Sequence, residues 1–171
     1  MSAANTEAVR GTTIVFPAQA DPLAFIRLNA DDTVTVVSKN MEMGQGIYTG
    51  LATLVAEELD ARRDQIRVVA APIGQAYGNV LMGGGQGTGG QTSIQAGYMI
   101  MRQAGAAMRQ MILSVAAARW SADAGSLTIE QGVVCELTGQ RRASFGELAV
   151  DAMAQPVPAE VVLKDASRFI Y

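Results

Sequence analysis

The residues best suited to hold a ligand lie between Val80 and Ser93, VLMGGGQGTGGQTS. Six of the eight residues from Gly83 to Gly90 are glycine, followed at once by Gln91, Thr92 and Ser93. Glycine loses the most freedom on folding, so this density is costly unless the backbone must bend sharply or lie against a bound group. A long apolar helix is predicted to begin at Thr92 or Ser93. The loop amides and the hydroxyls of Thr88, Thr92 and Ser93 would then face outward as donors at the positive end of a helix dipole. Such a seat suits an anionic or amide-rich ligand. A flexible linker shares the composition, but no acidic residue or lysine interrupts the run.

Met43-Gly44-Gln45-Gly46 is the second such stretch, placed between a β-rich run and a helix. Two glycines beside Gln45 allow close passage of the backbone, and its amide both donates and accepts. Taken alone, the same residues also suit a plain strand-to-helix turn. Gly85-Gln86-Gly87-Thr88-Gly89-Gly90 formally fits a dinucleotide-binding G-x-G-x-x-G. That fingerprint needs a strong strand before it and an acid about 20 residues after it. Asn79 to Met82 is a poor strand, and the next acid is Asp123. A phosphate loop is excluded because the run has no lysine.

Composition removes other chemistries. The 171 residues contain no histidine and a single cysteine, Cys135, so His-dependent triads, His-ligated zinc and cysteine-held clusters are excluded within the chain. A net charge of −3 without a basic cluster argues against nucleic acid. No stretch has the length and apolarity of a membrane span, and compartment is open between cytoplasm and periplasm.

The elements that must position these loops follow from periodicity. Residues 1–21 are small, polar and aperiodic, which predicts a mobile arm ahead of one domain over residues 22–171. Leu23–Asn29 and Thr33–Ser38 read as a hairpin across Asp31-Asp32, and Ile47–Ala61 as a helix with a leucine stripe. Ile66–Ala70 is a strand and Ser93–Trp120 the longest helix, its methionines read as core. Glu57 and Glu58 read as helix-face charges. Further strands are predicted at Leu127–Ile129, Gly132–Leu137, Arg141–Ala143 and Val161–Leu163. Ser144 and Glu147 form a capping box for a helix over Phe145–Met153. The order predicts an α+β, two-layer domain with a mixed sheet covered by helices on one face.

Gly44-Gln45-Gly46, then Ala56-Glu57-Glu58-Leu59-Asp60, then the Thr88–Ser93 loop and a long helix resemble one family. It is the molybdenum-binding large subunit of the xanthine dehydrogenase and aldehyde oxidase family, nearest to the isoquinoline 1-oxidoreductase β-subunit type. Arg102–Ala107, Gln131–Val134, Ser144–Ala149, Leu163-Lys164-Asp165 and Phe169 continue the pattern in order. The resemblance implies a molybdopterin-binding domain, with cytosine dinucleotide as the form of the cofactor. It places Gln45 on the cofactor, with Gly44 and Gly46 giving clearance. Thr88, Gly89, Gly90, Gln91, Thr92 and Ser93 would cradle the pterin or the nucleotide phosphate. Better-known members carry Ala and Ser where this loop has Gly89, Gly90 and Gln91. The resemblance further implies oxidation of N-heterocycles or aldehydes with water-derived oxygen. Electrons would pass to a small 2Fe-2S subunit, and the remainder of the large subunit would be a partner. Nothing in the chain matches the family's catalytic glutamate, so no catalytic or metal-binding residue is assigned and the isolated chain is expected to be inactive. The alternatives are a non-catalytic protein-interaction module and a nucleotide-binding domain.

Overall fold

The computed structural model describes residues 13–15, by their backbone, and 21–171. The mobile arm expected over residues 1–21 therefore lies largely outside the described residues. The central sheet starts as the anticipated hairpin. β2 (Ile26–Leu28) runs antiparallel to β3 (Val34–Ser38), with Ile26 opposite Val36 and Leu28 opposite Val34. β2 is shorter than its alternation suggests. Pro22 opens a single 3-10 turn over Pro22–Ala24, and Asp21 caps it by accepting from the Leu23 amide at 2.9 Å.

α1 (Ile47–Leu59) then carries the chain back, so that β4 (Ile66–Ala70) pairs parallel to β3. Ser38 lies opposite Ala70 at the shared carboxyl end of the two strands. Both glycine-containing stretches leave the sheet from this end. Ligands of open α/β sheets collect at such strand ends, so the parallel pairing is what brings two corners distant in sequence together.

α2 (Ser93–Trp120) packs along α1. Leu51, Val55 and Leu59 of α1 share one core with Met101, Met108 and Ile112 of α2, and Met111 is buried as well, so these methionines are packing residues while Met99 is exposed. The helices approach closely at Gly105, where an added Cβ would stand 2.7 Å from Glu58 Cβ and 3.1 Å from Val55 O. β5 (Leu127–Glu130), β6 (Val133–Glu136) and β7 (Arg142–Ser144) form a second, antiparallel sheet. α3 (Phe145–Met153) follows directly from the expected capping box, with Glu147 accepting from the Ser144 amide at 2.7 Å. β1 (Thr13–Val15) pairs antiparallel with β8 (Glu160–Val162), and Val161 and Leu163 pack on Ala106 and Ala107 of α2. The domain is α+β; its strands are divided among three sheets, of which β2–β3–β4 is mixed.

Glu57 and Glu58 correct the expectation of helix-face charges: they are 1% and 0% exposed. Glu58 accepts from Arg102 Nε at 2.7 Å and from the Lys164 amide at 2.8 Å. Glu57 accepts from the Ile170 amide at 2.8 Å, and also from the Tyr171 amide. Arg102 lies between the rings of Tyr98 and Phe169, at 5.5 and 5.0 Å from their centroids. These partners come from α2 and from residues 164–171, which the period of α1 alone does not reveal. Paired and hydrogen-bonded in this way, buried charges are tolerated.

Candidate functional site

The first corner, between β3 and α1, is closed by its own side chains. Glu42 Oε1 accepts from the amides of Gly44 and Gly46 at 2.8 and 2.9 Å, and Oε2 from Tyr48 at 3.0 Å. The Tyr48 and Gly46 amides hold the Glu42 carboxyl below the usual carboxylate range. Gln45 folds back on the same turn, accepting from the Met43 amide at 2.6 Å and donating to Met41 O at 2.8 Å. Gly46, the residue before α1, is left-handed at φ +82°, a conformation that strains any side chain.

Asn79 organises the second corner. It is fully buried, its Oδ1 accepts from the Leu81 amide at 3.0 Å, and its Nδ2 donates to Thr92 Oγ1 at 2.8 Å. Its backbone carbonyl takes the Met82 and Gly84 amides, both at 2.9 Å. Beyond this anchor the loop is open. Thr92, the residue before α2, provides no side-chain cap, and the first turn of the helix holds no acid. Among the described residues, the amides from Gly87 to Gln91 and from Ser93 to Gln95 meet no protein acceptor.

Three consecutive features at the end of β3 tie the corners together. Lys39, buried, donates to Gly78 O at 2.8 Å, and its desolvation pushes the amine down from its ordinary value. Asn40 Nδ2 donates to Gly87 O at 2.9 Å and Ser93 Oγ at 3.1 Å. The Met41 amide donates to Thr88 Oγ1 at 2.7 Å. Asn40 Oδ1 is buried with no hydrogen-bond partner among the described residues.

The joined corners border one open cavity of about 420 Å³. Gln45 and Gly46 line one side; Thr88, Gly89, Gln91 and Ser93 line the other. Gly44, Gly90 and Thr92 are not among the lining residues. The hydroxyls of Thr88 and Thr92 correct the expectation of outward donors. Thr92 Oγ1 donates to Gly89 O at 3.0 Å and Thr88 Oγ1 is bonded to Met41, so both hold the loops. Among the described residues the free donors are the backbone amides and the Ser93 hydroxyl, which accepts from Asn40 and has no protein acceptor. Ser38, Lys39, Asn40, Glu42 and Asn79 were not anticipated. Asking which side chains satisfy the backbone of a glycine loop points to the two asparagines. The nucleotide-fold alternative lacks its context, because Val80–Met82 is one turn of 3-10 helix and not a strand.

The face around the cavity carries exposed Met41, Met43, Val80, Leu81 and Ile94. No charged residue occurs between Arg67 and Arg102. Among the described residues no cluster could hold a metal ion, and no helix is long and apolar enough to cross a membrane.

Known proteins share both the sequence and the fold. The chain is 39% identical to the β-subunit of isoquinoline 1-oxidoreductase from Brevundimonas diminuta, over 77% of this chain and 17% of that protein. It is 34% identical to a nicotinate dehydrogenase subunit from Pseudomonas putida, over 72% of this chain and 10% of that one. The chain thus spans less than a fifth of these relatives. A reconstituted CO dehydrogenase from Oligotropha carboxidovorans shares the fold, with a TM-score of 0.59 and 20% identity over 80% of this chain and 17% of that one. The model of the molybdopterin cofactor-binding domain matches residues 2–169. With both glycine corners and the fold accounted for, the chain belongs to the molybdopterin cofactor-binding domain family.

Proposed function

We propose that the cavity between the Gln45 and Ser93 corners holds molybdopterin, as the cofactor-binding domain of a molybdenum hydroxylase. The observation that carries this is the meeting of two glycine corners on one cavity, with a row of unpartnered amides at the start of α2. The residues fit the group. Gln45 keeps one donor hydrogen and one lone pair beyond its two bonds within the turn. An added Cβ at Gly44 or Gly46 would meet nothing within 4 Å, so the first corner leaves clearance for a flat ligand. The unpartnered Asn40 Oδ1 at the junction is an acceptor awaiting a donor.

Bound there, the cofactor would supply the redox chemistry for hydroxylating an electron-poor carbon with water-derived oxygen. The chain's own part is placement. Gly89, Gly90, Gln91 and Ser93 present amides toward the anionic portion of the cofactor, in its cytosine dinucleotide form, and Thr92 braces their loop through Gly89 O. Thr88 keeps that loop on Met41, and Gln45 contacts the cofactor from the facing side. The catalytic base, the substrate contacts and a small 2Fe-2S subunit as electron acceptor lie outside these residues, and the isolated chain is inactive. The named relatives act on isoquinoline and nicotinate, which supports an N-heterocycle as substrate, with aldehydes as the other class. The uncharged face around the cavity supports a covering partner, the remainder of the large subunit, which would exclude water from the cofactor.

A Gln45→Ala, Gly90→Val double substitution in the complete enzyme should lower its molybdenum and pterin content severalfold. Unchanged content overturns the proposal. The exposed apolar residues also favour a protein-interaction module; unaltered cofactor content together with lost subunit association would favour that instead.

A further inference from the structure

We propose that Glu42 is a built-in anion that closes the α1 end of the cavity to charged ligand groups and so directs them to the α2 end. This rests on the cavity being the cofactor site. Both helices bring their starts to it: Gly46 and Ile47 of the first corner and Ser93 and Ile94 of the second line the same space. Each helix start carries roughly half a positive charge, whatever the sequence. Left alone, the two would offer an anionic group two comparable seats, and a ligand with one charged end could enter either way round.

Glu42 removes that ambiguity. Its carboxylate takes the amides of Gly44, Gly46 and Tyr48, the donors an incoming phosphate would use. A full negative charge set against a partial positive one leaves the α1 end repulsive to anions. Those amides also hold the carboxyl below its ordinary range. Gln45 folds over the turn through Met41 O and the Met43 amide and fixes Glu42 within it. The α2 end has none of this. Its first turn holds no acid, Thr92 is turned away to Gly89 and Asn79, and its leading amides are unpartnered. A second, independent sign of a ligand stands beside it: the buried Asn40 amide that grips Ser93 Oγ keeps an unpartnered Oδ1, an acceptor for a donor group of the ligand and not for its anion. The role of Glu42 is therefore positioning. It sets the direction in which a charged ligand lies and does not itself hold it.

Inorganic pyrophosphate is the probe, followed through the backbone amide resonances of the chain. In the wild type the amides from Gly87 to Gln95 should shift on titration, while Gly44, Gly46 and Tyr48 stay silent. In Glu42→Gln, which keeps the shape and loses the charge, those three amides should respond too, and stoichiometry should rise from one pyrophosphate to two. Pyrophosphate affinity at the α1 end should increase roughly tenfold. Glu42→Asp, which restores the charge, should return them toward silence; a merely structural cap would not track charge in this way. Should Glu42→Gln fray α1, Glu42→Ser supplies a neutral cap for the same measurement. A wild-type response at Gly44, Gly46 and Tyr48, or silence there in the neutral variants, overturns the proposal. Silence from Gly87 to Gln95 in the wild type counts instead against the α2 end as an anion seat, and so against the proposed function. Exclusion by Glu42 is then judged on the variants.

Discussion

α1 and α2 start at the same cavity and are finished in opposite ways. At the α1 start Glu42 takes the amides of Gly44, Gly46 and Tyr48 and the side chain of Gln45 folds into the turn, which leaves only the Ile47 and Thr49 amides without a protein acceptor among the described residues. The α2 start is held from behind by Asn79 and Asn40 and left bare in front. Every helix begins with unsatisfied amides, so the informative difference is who satisfies them. Where the chain does so, the corner is rigid before a ligand arrives. Where it does not, the amides stay open to an acceptor from outside the chain.

The largest expected effect removes what both corners stand on. Glu58→Ala would strand Arg102 in the interior and should cost about 3–5 kcal/mol, read from urea unfolding. Because Glu58 joins α1 to α2, amide exchange should rise at both corners; a rise at one only would show that they are not carried on a common base. Asn79→Ala should come next, at about 1–3 kcal/mol for donors and acceptors left buried. Its exchange changes should stay between Val80 and Thr92, and spreading to Gly44–Tyr48 would break the contrast between a self-supported and an anchored corner. Glu42→Gln should weaken the fold less, and in a pH-dependent way. A carboxyl held low in the folded state stabilises above the ordinary glutamate range and loses that contribution as pH falls through its lowered value. The wild type should therefore lead the variant at neutral pH and lose its lead in acid; a constant gap would mean that charge is not what completes α1. Gln45→Ala, at an exposed position, should change stability by less than about 0.5 kcal/mol while still lowering cofactor content. A large stability loss would make Gln45 a structural residue of the turn.

The sequence carries the local part of this contrast. Ser144 with Glu147 marks the start of α3, β-branched runs mark β3 and β4, and glycine marks both corners. Each is set by neighbours within a few residues. What stayed hidden depends on distant partners. β4 looks the same whether it pairs parallel or antiparallel, yet only parallel pairing brings Ser38 and Ala70 to one end of the sheet. Glu57 and Glu58 look like solvated charges until Arg102, Lys164 and the Ile170 amide are placed beside them. Asn40 and Asn79 are unremarkable in composition; their weight comes from distant partners, Gly87 O across 47 residues for Asn40 and Thr92 Oγ1 across 13 for Asn79. The hydroxyls of Thr88 and Thr92 fit the outward role equally well in sequence, and the short reach between the two loops decides otherwise.

The uncharged run from Arg67 to Arg102 has a consequence during synthesis. Charged gatekeepers are what ordinarily keep apolar stretches from associating with one another before folding is complete. Val80, Leu81, Met82 and Ile94 stay exposed even once the domain has folded, so this surface remains adhesive until it is covered. If the proposed remainder of the large subunit is what covers it, yield of the soluble polypeptide should depend on how soon after translation that partner arrives.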